Sequence, residues 1–118
     1  MARCRLRILV FPETHRTWVA RGLDHDLAAE GRTIEAAVDT LLRIVRAHIA
    51  FDLRHHREPL SAFASAPRAY WGAFARGTPM PVPIPPDWIE GGPPPQIIAT
   101  VVSQHPAIRP ALPMARTA

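Results

Sequence analysis

The chain has 118 residues, 47% of them hydrophobic and 20% charged, which is one domain's worth of ordinary globular sequence and excludes disorder along its whole length. Fourteen arginines and no lysine stand against 10 carboxylates, a net charge of +4 that permits an acidic or nucleic-acid partner without requiring one. The single cysteine, Cys4, excludes an internal disulfide framework and a cysteine-built zinc cage, and no apolar run approaches the ~20 residues needed to span a bilayer.

The first segment, Arg5–Phe11, alternates at its start. Cys4, Leu6, Ile8 and Val10 share one face and Arg3, Arg5 and Arg7 the other, the pattern of a half-buried strand. Cys4 reads as a small buried hydrophobe rather than a reactive thiol. No signal-peptide core follows these arginines, so the expected location is cytoplasmic. Residues 12–16 form a polar connection, Thr17–Arg21 suits a returning antiparallel strand, and Gly22 to Asp26 breaks the pattern before a short third strand over Leu27–Glu30.

A long amphipathic helix follows. Thr33 supplies an N-cap oxygen and Glu35 an acid at the positive end of the dipole, while Ile34, Ala37, Val38, Leu41, Leu42, Val45 and Ile49 recur at helical spacing. Asp39 and Arg43 form an i,i+4 pair, Arg54, His55, His56 and Arg57 suit the negative end, and Pro59 forces a stop. A helix running to Arg57 is about as long as the whole domain is wide, so its far end is expected to overhang the sheet or to pack on a second helix or subunit.

A second helix fits Pro67–Arg76, with proline at the first helical position and Gly77 in the left-handed position just past the end. Tyr70, Trp71 and Phe74 carry its aromatic bulk and read as cover for the open end of the long helix, or as an oligomer or partner contact. Residues 79–86 hold alternating prolines that read as a polyproline spacer, with Trp88 and Ile89 as anchors to the core and a second breaker cluster from Gly91 to Pro95. Ile97 to Val102 is a last strand, and the remainder a loose tail. The expected organisation is a core over 1–60, the second helix within 61–78, the proline-rich spacer over 79–96, the last strand over 97–103 and a flexible tail over 104–118.

Residues 18–37, Trp-Val-Ala-Arg-Gly-Leu-Asp-His-Asp-Leu-Ala-Ala-Glu-Gly-Arg-Thr-Ile-Glu-Ala-Ala, resemble the HicB antitoxin-like family. That family shows two strands, a short third strand and a Gly-x-Thr-x-Glu-Glu-Ala-type lead into a long helix. The likeness covers roughly residues 5 to 55, with Trp18, Gly31, Thr33 and Ala37 as its fold motif, and Ala36 departs from the commoner glutamate of a capping box. The resemblance implies a truncated ribonuclease H-like fold, often dimeric, that blocks a small mRNA-cleaving HicA-like toxin in a toxin-antitoxin pair. The C-terminal helix-turn-helix or ribbon-helix-helix of full antitoxins is not evident, since one short helix and a proline spacer cannot supply two helices joined by a tight turn. The second helix followed by one more strand is similar to the tail of stand-alone HicB-like proteins.

Ribonuclease H chemistry needs an acid near the middle of the first strand, and none stands between Arg3 and Phe11. Asp24, Asp26, Glu30 and Asp39 are the only carboxylates left for a degenerate metal-dependent nuclease, and Asp24 and Asp26 read as turn-shaping residues. His25 beside two aspartates and the pair His55–His56 do not match a metal-ligand spacing, and His48 reads as a boundary residue. No metal or cofactor is expected. Arg3, Arg5 and Arg7 on the first strand and Arg43, Arg46, Arg54 and Arg57 on the helix are solvated cations or, functionally, contacts for phosphate or an acidic protein surface. Aromatic residues are not interleaved with them in sequence, which disfavours a single-strand stacking platform.

The expectation is therefore an α+β domain: a small antiparallel sheet packed on one long helix. Its leading function is non-enzymatic protein binding, with a HicA-like toxin as partner and a homodimer as the working form. A nucleic-acid-binding regulator using the arginine surface, with Arg3, Arg5, Arg7, Arg43 and Arg46 as contacts, is the alternative.

Overall fold

The computed structural model describes residues 5–83 and 95–106 and has the α+β architecture expected. In chain order the elements are β1 (Arg5–Thr14), β2 (Thr17–Gly22), β3 (Leu27–Gly31), α1 (Ile34–Arg54), α2 (Arg68–Arg76), β4 (Thr78–Met80) and β5 (Gln96–Val101). Arg3, Cys4, Trp88, Ile89 and residues 107–118, including most of the expected tail, lie outside the described residues.

The sheet order is β3-β2-β1-β5-β4. β1, β2 and β3 form an antiparallel meander with Val10 opposite Ala20 and Ala20 opposite Ala29. β5 runs parallel to β1, with Ile8 opposite Ala99, so the sheet is mixed and not purely antiparallel. The physical reason is the crossover: after α1 has spanned one face, the chain returns in the direction of β1 and fills its free edge. Part of the expected spacer is a strand as well, since Thr78, Pro79 and Met80 pair with Val101, Thr100 and Ala99. Proline is tolerated there because β4 is the edge of the sheet. β1 also runs beyond Phe11, with a register shift between Pro12 and Thr14 after its pairing with β5 has ended.

α1 covers one face of the sheet. Ala37, Val38, Leu41, Leu42, Val45 and Ile49 pack on Leu6, Ile8, Val10, Ala20, Ala29 and Ala99. The opposite face, expected to present an open arginine stripe, is covered by α2. Ala73, Tyr70, Trp71 and Phe74 pack there against Leu9, Phe11, Val19 and Leu23. β1 is thus a central strand with apolar cover on both sides, which explains the unbroken run Ile8-Leu9-Val10-Phe11, all four at most 1% exposed.

Both helices stop differently from the sequence expectation. α1 ends at Arg54 because His56 takes a left-handed conformation (φ 56°), with His56 N–H donating to Leu53 O (3.1 Å) and Arg57 N–H to Asp52 O (2.8 Å). This hydrogen-bond pair satisfies two carbonyls that the helix end would leave open, three residues before Pro59 could act. At the end of α2, Gly77 is extended (φ −83°, ψ −179°), not left-handed. Its requirement is space: a Cβ there would stand 2.2 Å from Thr100 Cγ2 and 2.8 Å from Val101 O. Of the expected tail, the described residues stay on the domain: Pro106 is buried and His105 packs edge-on against Phe11 at 4.8 Å between ring centroids.

Candidate functional site

The four motif residues of the resemblance meet where β3 hands over to α1. Thr33 accepts a hydrogen bond on Oγ1 from Ala36 N–H (3.0 Å), and its carbonyl accepts from Ala37 N–H (3.0 Å), so it is the N-cap. Trp18 lies opposite Gly31 across the β2/β3 ladder, and Ala37 is fully buried beneath the sheet. Gly31 is small because a Cβ would come within 2.5 Å of Ala37 N and 2.8 Å of Ala36 C. The helix therefore starts against the strand that precedes it, and its direction over the sheet is fixed within three residues.

On the α2 face two arginines are built into matching stacks. The Arg7 guanidinium is ion-paired with Asp24, whose carboxylate accepts from Arg7 Nε (3.0 Å) and from Arg7 backbone N–H (2.8 Å), and the Trp71 ring lies 4.6 Å away. Arg21 repeats the arrangement, with Asp26 at 2.7 Å and the Tyr70 ring at 4.1 Å. Each stack joins one sheet strand, the β2–β3 turn and α2 through charge-assisted bonds and a cation–π contact. Asp24 and Asp26 lie in the β2–β3 turn, Asp26 with a left-handed backbone (φ 52°), but their side chains are held by Arg7 and Arg21 and not by backbone groups of the turn. The hydrogen bond to Asp24 holds the Arg7 pKa above its ordinary value, opposed by burial and aided by the Asp24 charge. His25, half-buried next to them, has its pKa pushed below the ordinary imidazole value by burial, an effect the Asp24 charge partly offsets.

The expected partner contacts are thus not one surface. Arg5 is exposed on β1, Arg7 is covered by Trp71, and Arg43 is bound to Asp39 on the solvent side of α1 (2.5 Å). Arg46 is half-buried and engaged within the chain. Tyr70, Trp71 and Phe74 are half-buried on the sheet instead of covering the end of α1. The Trp71 indole Nε1–H donates to Ser65 Oγ (2.9 Å), which anchors the segment leading into α2. Asp24, Asp26, Glu30 and Asp39 are not gathered, and among the described residues no three His, Cys, Asp or Glu side chains form a group able to hold a metal ion.

Two features were not anticipated from the sequence. Beside Tyr70, the α2 face opens into a polar cleft of about 340 Å³ lined by Glu13, Arg21, Glu30 and His105, over a floor of Phe11 and Val19, with His105 Nε2 3.0 Å from Glu13 Oε1. Asp52 is buried, 6% exposed, and its Oδ2 accepts from Leu60 N–H (2.7 Å), where Leu60 is itself left-handed (φ 63°) and 1% exposed. A lone aspartate near the end of an apolar helix face, shortly before a Pro-Leu pair, is the available signal for that clasp.

No family model, curated protein or solved structure matches the chain. Among the described residues no helix is long and apolar enough to cross a membrane.

Proposed function

We propose that the chain is a non-enzymatic binding module of the HicB-like kind, antitoxin-like or stand-alone, that acts by occupying a protein partner as a homodimer. The observation that carries this reading is the junction at Gly31–Thr33. There the residues behind the resemblance are used structurally: a glycine excluded from bearing a Cβ, a threonine cap and a buried alanine joining a three-stranded meander to one long helix. Fold alone does not assign function, so the partner surface is argued from charge.

Four carboxylates around the junction are exposed, Asp26, Glu30, Glu35 and Asp39; Asp26 and Asp39 are paired with Arg21 and Arg43, which leaves Glu30 on the edge strand β3 and Glu35 at the start of α1 as the acids for a partner. The small, basic toxin that the resemblance implies would meet Glu30 beside the unpaired edge of β3, and Glu35 at the start of α1 adds negative charge on the helix face. The nuclease reading finds no support in the carboxylates, two of which are engaged with Arg7 and Arg21 and one with Arg43. The arginine-stripe reading loses Arg7 for the same reason.

The test is a titration of the purified chain with a HicA-like protein from the same genome, read by calorimetry and light scattering. A saturable complex that Glu30→Lys and Glu35→Lys together weaken at least tenfold is the expected result. A chain that shows no heat and elutes unchanged refutes the proposal.

A further inference from the structure

Beyond that reading, we propose that the C-terminal end of α1 is a binding surface for single-stranded nucleic acid, with Phe51 as the stacking ring and Arg54 and Arg57 as the phosphate contacts. Phe51 is 42% exposed and is one of three large hydrophobic residues left exposed among the described residues. Its ring carries the His55 imidazole at 4.1 Å, tilted by 30°, and the Arg57 guanidinium at 5.7 Å. His55 is held in that place by a hydrogen bond between its Nδ1 and Phe51 O (2.8 Å). The aromatic interleaving missing along the sequence is therefore supplied by the helix end, which sets a partly exposed ring between an imidazole and a guanidinium.

Charge is one-sided here. Residues 50–57 contain two arginines, Arg54 and Arg57, and one carboxylate, Asp52, and that carboxylate is turned inward onto Leu60 N–H. Arg54 and Arg57 are exposed and make no ion pair among the described residues; Glu58 is the nearest exposed acid along the chain. The usual negative end of the helix dipole is blunted, because the carbonyls of Asp52 and Leu53 are bonded to Arg57 and His56 N–H. An acidic peptide would use the charge but has no need of an exposed aromatic ring. A duplex hides its bases from stacking, whereas unpaired bases offer a π-face to any aromatic side chain. The surface lies at the opposite end of α1 from the carboxylates assigned to a protein partner, so the two proposals fail independently.

The experiment is fluorescence anisotropy with a labelled polyuridine of about 20 nucleotides, titrated with the full chain across a salt series. Binding is expected to weaken as salt rises. Arg54→Ala with Arg57→Ala should lower the slope of log K against log salt by about 1.4, from ~0.7 per phosphate contact on a single strand. Phe51→Ala should weaken binding about tenfold without changing that slope, and Phe51→Leu, which keeps apolar bulk but no ring, should weaken it equally. All these positions are exposed, and unchanged circular dichroism will verify the fold. Absence of binding at low salt, a Phe51→Leu variant that binds like the parent, or polyglutamate or a duplex bound as tightly as the single strand would each overturn the proposal.

Discussion

Replacing Asp24 by alanine tests whether the arginine stacks hold α2 and the β2–β3 turn onto the sheet. The carboxylate accepts from Arg7 Nε at 3.0 Å and from the Arg7 backbone N–H at 2.8 Å, and also pairs with the guanidinium Nη2. A hydrogen bond to a charged group contributes about 1.5–3 kcal/mol, which for three such bonds sets an upper limit of ~9 kcal/mol. The limit must be reduced. Arg7 is 33% exposed while Asp24 is 14% exposed, so water can replace part of the lost guanidinium contact and the Trp71 stack remains to hold the cation. The backbone N–H of Arg7, part-buried near the start of β1, has less access to water and carries most of the remaining penalty. The net expectation is a loss of about 2–3 kcal/mol for Asp24→Ala, and about half that for Asp24→Asn, which keeps an acceptor for the backbone. Urea unfolding followed by circular dichroism measures both, and a cycle with Arg7→Gln should return a coupling of about 1 kcal/mol. A loss under ~0.5 kcal/mol for Asp24→Ala, within the range of an ordinary surface substitution, would refute the reasoning.

Gly77→Ala should destabilise by about 1–3 kcal/mol, because the new methyl lands 2.2 Å from Thr100 Cγ2, whereas Gly72→Ala within α2 meets only Arg76 Nη1 at 3.4 Å and should stabilise by up to ~1 kcal/mol; thermal unfolding of the two variants reads the contrast. Asp52→Ala strands the buried Leu60 N–H and should cost about 2 kcal/mol, while His56→Gly relieves a positive φ and should gain up to ~1 kcal/mol, both in chemical denaturation. His25 has a folded-state pKa below its unfolded value, so the unfolded chain binds the proton first as pH falls. Stability is therefore expected to drop as pH is lowered through and below ~6.5, and His25→Gln should flatten that part of a stability–pH curve; a curve of unchanged steepness refutes the assignment.

The part of the fold that is local in sequence was legible in it. The alternation of Leu6, Ile8 and Val10, the break at Gly22 to Asp26 and the Thr33 cap all act over a few residues, so β1, β2, β3 and α1 follow from period and capping chemistry. What was not legible depends on distant partners. The direction of β5 is set by a crossover of more than forty residues, and a three-residue edge strand such as β4 has too few positions to show a period. Arg7 illustrates the same limit at the site. Alternation put it on the face away from α1 correctly, but only the return of α2 turns that face from solvent into an aromatic-covered ion pair with Asp24. Gly77 was recognised as a helix stop, yet its cause is the proximity of Thr100 and Val101, which no neighbouring residue encodes. The role of Asp52 likewise depends on Leu60, eight residues on, coming back to meet it.

The central claim is that this chain works by occupying a toxin-like partner and performs no chemistry of its own. Its most direct test is an RNA-cleavage assay with a HicA-like protein from the same genome, run with rising amounts of the purified chain. Cleavage is predicted to fall in proportion to added chain and to cease at a fixed stoichiometry, with the chain alone leaving the RNA intact. Cleavage that persists in excess chain, or RNA cut by the chain alone, would contradict the account.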